Sequence, residues 1–147
     1  TLVAVEEGAT ALDAPAGPPG STLRHLLCHA GGYDFDTPAI LAPPGTRRIY
    51  SNVGYDDVAQ HVEHASGFSF PDYLHEAVLA PLRMDSTELR GSAAKDLWSN
   101  VDDLLRFAAE TRSPTILHPS TVRTALAGPV AVLASAHRVQ AVDTPAP

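Results

Sequence analysis

Tyr50-Ser51-Asn52-Val53-Gly54-Tyr55 opens the stretch whose reading decides the fold, and Asp56-Asp57-Val58-Ala59-Gln60-His61-Val62-Glu63-His64-Ala65-Ser66-Gly67 completes it. Arg47 to Tyr50 reads as a short extended piece. From about Gly54, the residues Val58, Val62 and Ala65 fall on one face at helical spacing, and Gly67 can take the left-handed closing turn, so a helix is predicted up to Ser66. In an extended segment residues i and i+2 point the same way. Tyr50 and Asn52 are therefore expected to face one cleft while Ser51 points elsewhere.

Outward from this stretch the pattern stays helical. Leu2 to Gly8 reads as the last turns of a helix closed by glycine. Ala9 to Gly20 carries Pro15, Pro18 and Pro19 and reads as an irregular connection. Ser21 is the expected cap of a helix with Leu23, Leu26 and Leu27 on its inner face, stopped by Gly31-Gly32. Ser69 caps a helix carrying Phe70, Tyr73, Leu74, Ala77 and Val78, with Pro71 in its first turn and Pro81 at its end. Met84 and Leu89 fall in an irregular stretch. Ser99 or Asn100 caps a helix over Val101 to Glu110, with Val101, Leu104, Leu105 and Ala108 expected inward. Asp102 and Asp103 suit its positive N-terminus. A short helix is expected after Ser120. No strand pair and no internal repeat stands out.

The bulk numbers exclude several functions. With a net charge of -7 and 10 Lys and Arg residues in 147, there is no cationic surface for nucleic acid. No apolar run approaches the roughly 20 residues of a membrane span. The single cysteine, Cys28, rules out an internal disulfide. No signal peptide and no initiator Met is present, so compartment and natural N-terminus stay open.

Several stretches, taken in order, resemble the serine β-lactamase-like hydrolases, the family of class C β-lactamases, penicillin-binding proteins and related esterases. Leu2 to Gly8 is similar to the helix end that follows the nucleophile motif. Thr22-Leu23-Arg24-His25-Leu26-Leu27-Cys28-His29-Ala30-Gly31-Gly32 resembles the family's Thr-Ile-Arg-His-Leu-Leu-Thr-His-Thr-Ser-Gly element. Pro44-Gly45-Thr46 leads to Tyr50-Ser51-Asn52, similar to the Tyr-x-Asn motif in its Tyr-Ser-Asn-x-Gly-Tyr setting. Ser66-Gly67-Phe68-Ser69-Phe70, Pro81-Leu82-Arg83-Met84 and Leu97 to Phe107 continue the likeness, which runs from Leu2 to about Val122.

The resemblance implies a mainly α segment of an α/β, β-lactamase/transpeptidase-like fold: a helical lobe with little or no sheet. It implies hydrolysis of a small-molecule ester, amide or β-lactam through an acyl-enzyme, without cofactor or metal. Tyr50 would be the general acid and base, its proton shared with a neighbouring serine and lysine. Asn52, whose amide both donates and accepts, would hold the substrate carbonyl and the motif lysine. The alternative is a non-catalytic helical module that binds a ligand or protein partner.

Two elements the chemistry needs are not found. A Ser-x-x-Lys on a buried helix puts hydroxyl and amine on one face. The only formal match is Ser92-Ala93-Ala94-Lys95, which follows Tyr50 and reads as loop. His29-Ala30-Gly31 matches the family's His-x-Gly strand only formally, since it ends a helix. The chain alone is therefore expected not to turn over. His25, Cys28, His29, His61 and His64 have helical spacings but no zinc-site pattern, and read as packing or surface residues.

Residues 1–124 are thus expected to form a partial hydrolase domain exposing an apolar patch of more than a few hundred Å². Residues 125–147, rich in Ala, Val and Pro, are expected to be a poorly ordered tail, as after a frameshift near Thr124; a helix from Val130 to Val139 is the alternative.

Overall fold

A computed structural model describes residues Thr1–Ala127. The expected tail lies almost wholly outside them, as does the alternative helix from Val130. In chain order the elements are α1 (Leu2–Glu6), α2 (Leu23–Leu27), α3 (Asn52–Ser66), α4 (Phe70–Leu74) running into a π turn (His75–Leu79), β1 (Glu88–Leu89), β2 (Leu97–Trp98), α5 (Val101–Arg112) and α6 (Pro119–Leu126). The segment is mainly helical, and its one small sheet is an antiparallel pair with Glu88 opposite Trp98 and Leu89 opposite Leu97. That hairpin was not expected, because two residues per strand are too few to display an alternating pattern.

Helix α3 is the spine. It begins at Asn52 rather than Gly54, because Ser51 is extended (φ -141°, ψ 125°) and its hydroxyl accepts the Gly54 N–H at 3.1 Å. Gly67 closes it at φ 76°. Two small apolar clusters share this helix. Val58 packs with Leu23 and Leu26 of α2, and Val62 packs with Ala4 of α1 and Tyr73 of α4. Each buried leucine contributes about 1.5–3 kcal/mol. Ala65, expected in the same stripe, is only partly buried.

Helix α2 is capped by Thr22 rather than Ser21. The Thr22 hydroxyl accepts the His25 N–H at 3.4 Å, and His25 Nδ1 accepts the Thr22 N–H at 3.2 Å, a reciprocal capping box. Ser21 is instead buried in the preceding turn, where its N–H donates to Pro18. The helix also stops earlier than Gly31-Gly32. His29 takes the left-handed turn at φ 56°, its N–H bonds the Leu26 carbonyl at 2.9 Å, and the Ala30 N–H bonds the His25 carbonyl at 2.7 Å. Gly32 has another use: a Cβ there would collide with the Ala42 carbonyl.

The reading of α5 is overturned. Val101, Leu104 and Leu105 are 72%, 52% and 63% exposed, and Ala108 is exposed too. The buried residues of this helix are Asp103 and Glu110. Asp103 Oδ2 accepts from the Thr87 hydroxyl and the Ser86 N–H, both at 2.9 Å, and Arg106 donates to Oδ1 at 2.6 Å. Glu110 accepts from the N–H groups of Thr115 and Ile116. Carboxylates thus anchor the polar face to the chain, and the apolar row turns outward. Helix α6 starts at Pro119, so Ser120, after which it was expected to begin, lies in its first turn; it is tied to α1 where the His118 N–H donates to Glu6 at 3.0 Å. Among the described residues no helix is long and apolar enough to cross a membrane.

Candidate active site

Tyr50, Ser51 and Asn52 lie where the chain enters α3, against the loop Asp34-Phe35-Asp36. Ser51 turns inward and is buried; besides capping α3, its hydroxyl donates to the Asp34 carbonyl at 2.7 Å. Asn52 is 7% exposed. Its backbone N–H donates to the Phe35 carbonyl at 2.8 Å, and its side-chain nitrogen donates to Asp36 Oδ1 at 2.7 Å. Tyr50 is 56% exposed, with its ring 5.8 Å from that of Phe35 and 4.5 Å from that of His29. Tyr50 is therefore presented outward from the segment that leads into α3, and Asn52, two residues on, is fixed in the first turn of that helix. The void beneath this segment, between Leu26, His29, Tyr33 and Ser51, measures about 10 Å³, room for one water at most. Nothing of substrate size is enclosed there.

The electrostatics sort the neighbouring groups. Burial, then Arg48, holds the His29 imidazole below its ordinary value, so it is neutral. Burial pushes the Tyr55 phenol up, and the Tyr55 hydroxyl donates to the Leu27 carbonyl at 3.1 Å. Burial also raises the Cys28 thiol, against the pull of Arg24 and Arg48; this is an inert thiol. Tyr33 is pushed up to about 12 by burial and by its hydrogen bond to Asp57 at 2.6 Å. Neither Tyr33 nor Tyr55 is thus available as a base near neutrality.

The two formal matches are accounted for. Ser92 donates to Asp56 at 2.7 Å, and its backbone carbonyl accepts the Lys95 N–H in a turn, so Ser92 and Lys95 are not on a helix face. Lys95 is nonetheless part of the neighbourhood: its ammonium lies 3.6 Å from the same Asp36 oxygen that holds Asn52. Sequence reading missed Asp36 and Phe35 altogether. The loop holds a second aromatic and a second acid, Tyr33 and Asp34, so nothing in its composition singled them out. His25 Nδ1 is used in the α2 cap and His29 Nδ1 accepts the Ser51 N–H at 3.2 Å. Among the described residues no three His, Cys, Asp or Glu side chains group as metal ligands would.

The β-lactamase family model matches residues 1–140. The chain belongs to the β-lactamase family. A solved β-lactamase from Mycobacterium bovis is 46% identical, with a TM-score of 0.80, over 82% of this chain and 46% of that one. A penicillin-binding protein from Bacillus halodurans is 17% identical with a TM-score of 0.75, over 82% of this chain and 56% of that one. Simvastatin synthase from Aspergillus terreus is 19% identical with a TM-score of 0.70, over 83% of this chain and 52% of that one. The last two show the fold alone. No curated protein matches the chain. The chain spans about half the length of the solved relatives it matches. Its helices are a segment of the β-lactamase/transpeptidase fold.

Proposed function

We propose that this chain supplies the proton-transfer tyrosine and the orienting amide of a β-lactamase-like serine hydrolase. The reaction is transfer of the acyl group of an ester, amide or β-lactam to a serine and then to water. Tyr50, as the phenolate that a neighbouring motif lysine favours, takes the serine proton on attack and returns it to the leaving group; Asn52 donates the amide hydrogen not used by Asp36 to the substrate carbonyl. We assign this role to residues 1–124 and none to residues 125–147. The carrying observation is the placement of Tyr50 and Asn52 at the entrance to α3, the phenol exposed and the amide fixed. The serine nucleophile is not assigned to any residue of this chain. Ser92 is engaged with Asp56 and does not share a helix face with Lys95.

Nitrocefin and p-nitrophenyl acetate test the reading. The 147 residues alone are expected to leave both intact. The same chain joined to family segments that carry both the Ser-x-x-Lys helix and the His-x-Gly strand is expected to hydrolyse at least one. Turnover by the chain alone would return the nucleophile to these residues and reopen Ser92-Ala93-Ala94-Lys95. A second reading, a non-catalytic module that binds a partner, is favoured by the exposed Val101, Leu104 and Leu105. It predicts no turnover even with the nucleophile segment restored.

A further inference from the structure

His29 occupies the position after the end of α2 that glycine usually fills, at φ 56°. A side chain there is uncommon, although Asn, Asp and His take this conformation more readily than most residues. Here the histidine does three things that glycine could not combine. Its carbonyl accepts the Ile49 N–H at 2.8 Å. Its ring Nδ1 accepts the Ser51 N–H at 3.2 Å. Its ring packs on two tyrosines, Tyr50 at 4.5 Å and an angle of 32°, and Tyr55 at 4.8 Å and 26°. Ile49 and Ser51 are the residues on either side of Tyr50, so one histidine holds both flanking peptides and one face of the tyrosine ring.

We propose that His29 is the positioning residue for Tyr50, a neutral imidazole with its proton on Nε2 that fixes the tyrosine against the entrance to α3. This rests on the reading of Tyr50 as the proton-transfer group. The tautomer follows from the hydrogen bond: Ser51 donates, so Nδ1 must carry a lone pair. Protonation of Nδ1 removes that acceptor and sets two N–H groups against each other. The titratable and charged groups around the ring oppose or ignore its protonation. Arg48 and Tyr50 face it from the connecting segment, Tyr55 from α3, and Cys28 precedes it at the end of α2. Arg48 and burial both disfavour the imidazolium. Acid should therefore loosen Tyr50 only below the usual histidine value of about 6.5.

Nitrogen-15 NMR of the chain tests this directly. In the wild type above neutrality, the His29 nitrogens should show an unprotonated Nδ1, and the Ser51 amide shift should follow the His29 titration with a midpoint below about 6.5. A protonated Nδ1, or a Ser51 amide indifferent to that titration, overturns the proposal without any variant. His29→Gly keeps the left-handed turn and removes the ring; hydrogen exchange at the Ser51 amide should speed up about five- to tenfold, the worth of one ordinary hydrogen bond. His29→Asn also tolerates the turn and restores an acceptor at the δ position, so it should recover part of that protection but not the titration. Unchanged Ser51 protection in folded His29→Gly also overturns the clamp. None of these readouts needs turnover. A clamp that holds while Tyr50→Phe stays active would mark failure of the catalytic reading instead.

Discussion

Asp36 Oδ1 holds the side-chain N–H of Asn52 at 2.7 Å and lies 3.6 Å from the ammonium of Lys95. A carboxylate can only accept, so this contact decides which end of the Asn52 amide faces Asp36: the nitrogen does, and the oxygen is left for another donor. Asp36→Ala should lower stability by about 1 kcal/mol, less than the usual worth of a charged hydrogen bond because half of the Asp36 side chain meets water. Lys95→Ala should cost under about 0.5 kcal/mol, as exposed ion pairs do. Urea denaturation of both variants checks the ranking. Equal losses would mean that the ion pair, and not the amide contact, anchors this loop.

Asp103 is a buried polar anchor outside the site. It is 2% exposed and joins Ser86 and Thr87, just before β1, to Arg106 on α5. Asp103→Ala should cost about 2–3 kcal/mol, because the buried Thr87 hydroxyl and the Ser86 N–H lose a charged acceptor. Asp103→Asn should cost less, since its oxygen can still accept from one of them. A loss below about 0.5 kcal/mol for Asp103→Ala, the range of ordinary surface changes, would show that the hairpin and α5 are not coupled through it.

The sequence made the helices legible wherever an apolar stripe and a cap agreed. Val58 and Val62, followed by Gly67, could only be an inward face with a left-handed stop, and both valines are buried. On α5 the same periodic argument led to the wrong face. Leu104 and Leu105 are spaced as a core stripe, but periodicity reports that a helix has an apolar face, not whether the covering surface is present. Asp103 was read only as a favourable charge at a helix start, whereas its energy comes from Thr87 and Ser86, sixteen and seventeen residues away in the chain. Tyr50 and Asn52 could be named as candidates because a motif fixes their spacing. Asp36 and His29 could not, because they reach the site from separate loops, and a left-handed histidine in place of glycine leaves no pattern to count.

The outward row of α5 predicts surface behaviour. Leu105→Glu and Leu104→Glu should each change stability by less than about 0.5 kcal/mol, since both side chains are already more than half exposed. The double variant should bind less of a dye such as anilinonaphthalene sulfonate than the wild type does, because an exposed apolar patch is removed. Thermal denaturation and dye titration provide the check. A fall of several degrees in melting temperature would mean that this row is packed in solution.

Alkaline pH should destabilise the fold through Tyr33. Its phenol is pushed up to about 12 by burial first and by the Asp57 contact second, against an ordinary value near 10. Above pH 10 the unfolded chain loses this proton while the folded chain keeps it. The unfolded state then binds fewer protons, so stability falls as pH rises from about 10 to about 12. Tyr33→Phe removes the titrating proton and should flatten this part of the profile, at some cost in stability near neutrality from the lost bond to Asp57. Denaturation midpoints at several alkaline pH values decide it, and a variant with the same slope as the wild type would shift the cause to other groups.

The sharpest prediction contrasts the two candidate site residues in the chain joined to family segments that carry the Ser-x-x-Lys helix and the His-x-Gly strand. Tyr50 is 56% exposed, and its hydroxyl has no hydrogen-bond partner among the described residues. Tyr50→Phe removes one exposed oxygen and keeps the ring against His29 and Phe35, so stability should change by less than about 0.5 kcal/mol. Turnover should fall about 10²- to 10⁴-fold, the usual contribution of a positioned general base. Asn52 is buried and bonded to Asp36, so Asn52→Ala should lower stability by about 1–2 kcal/mol as well as turnover. Its loss of substrate orientation should appear in both kcat and KM, because the amide binds the carbonyl before and during reaction. The pair is thus separable: one variant inactive and stable, the other impaired and less stable. If Tyr50→Phe keeps its turnover, the phenol is not the proton carrier, and Tyr50 is only an aromatic cover for His29.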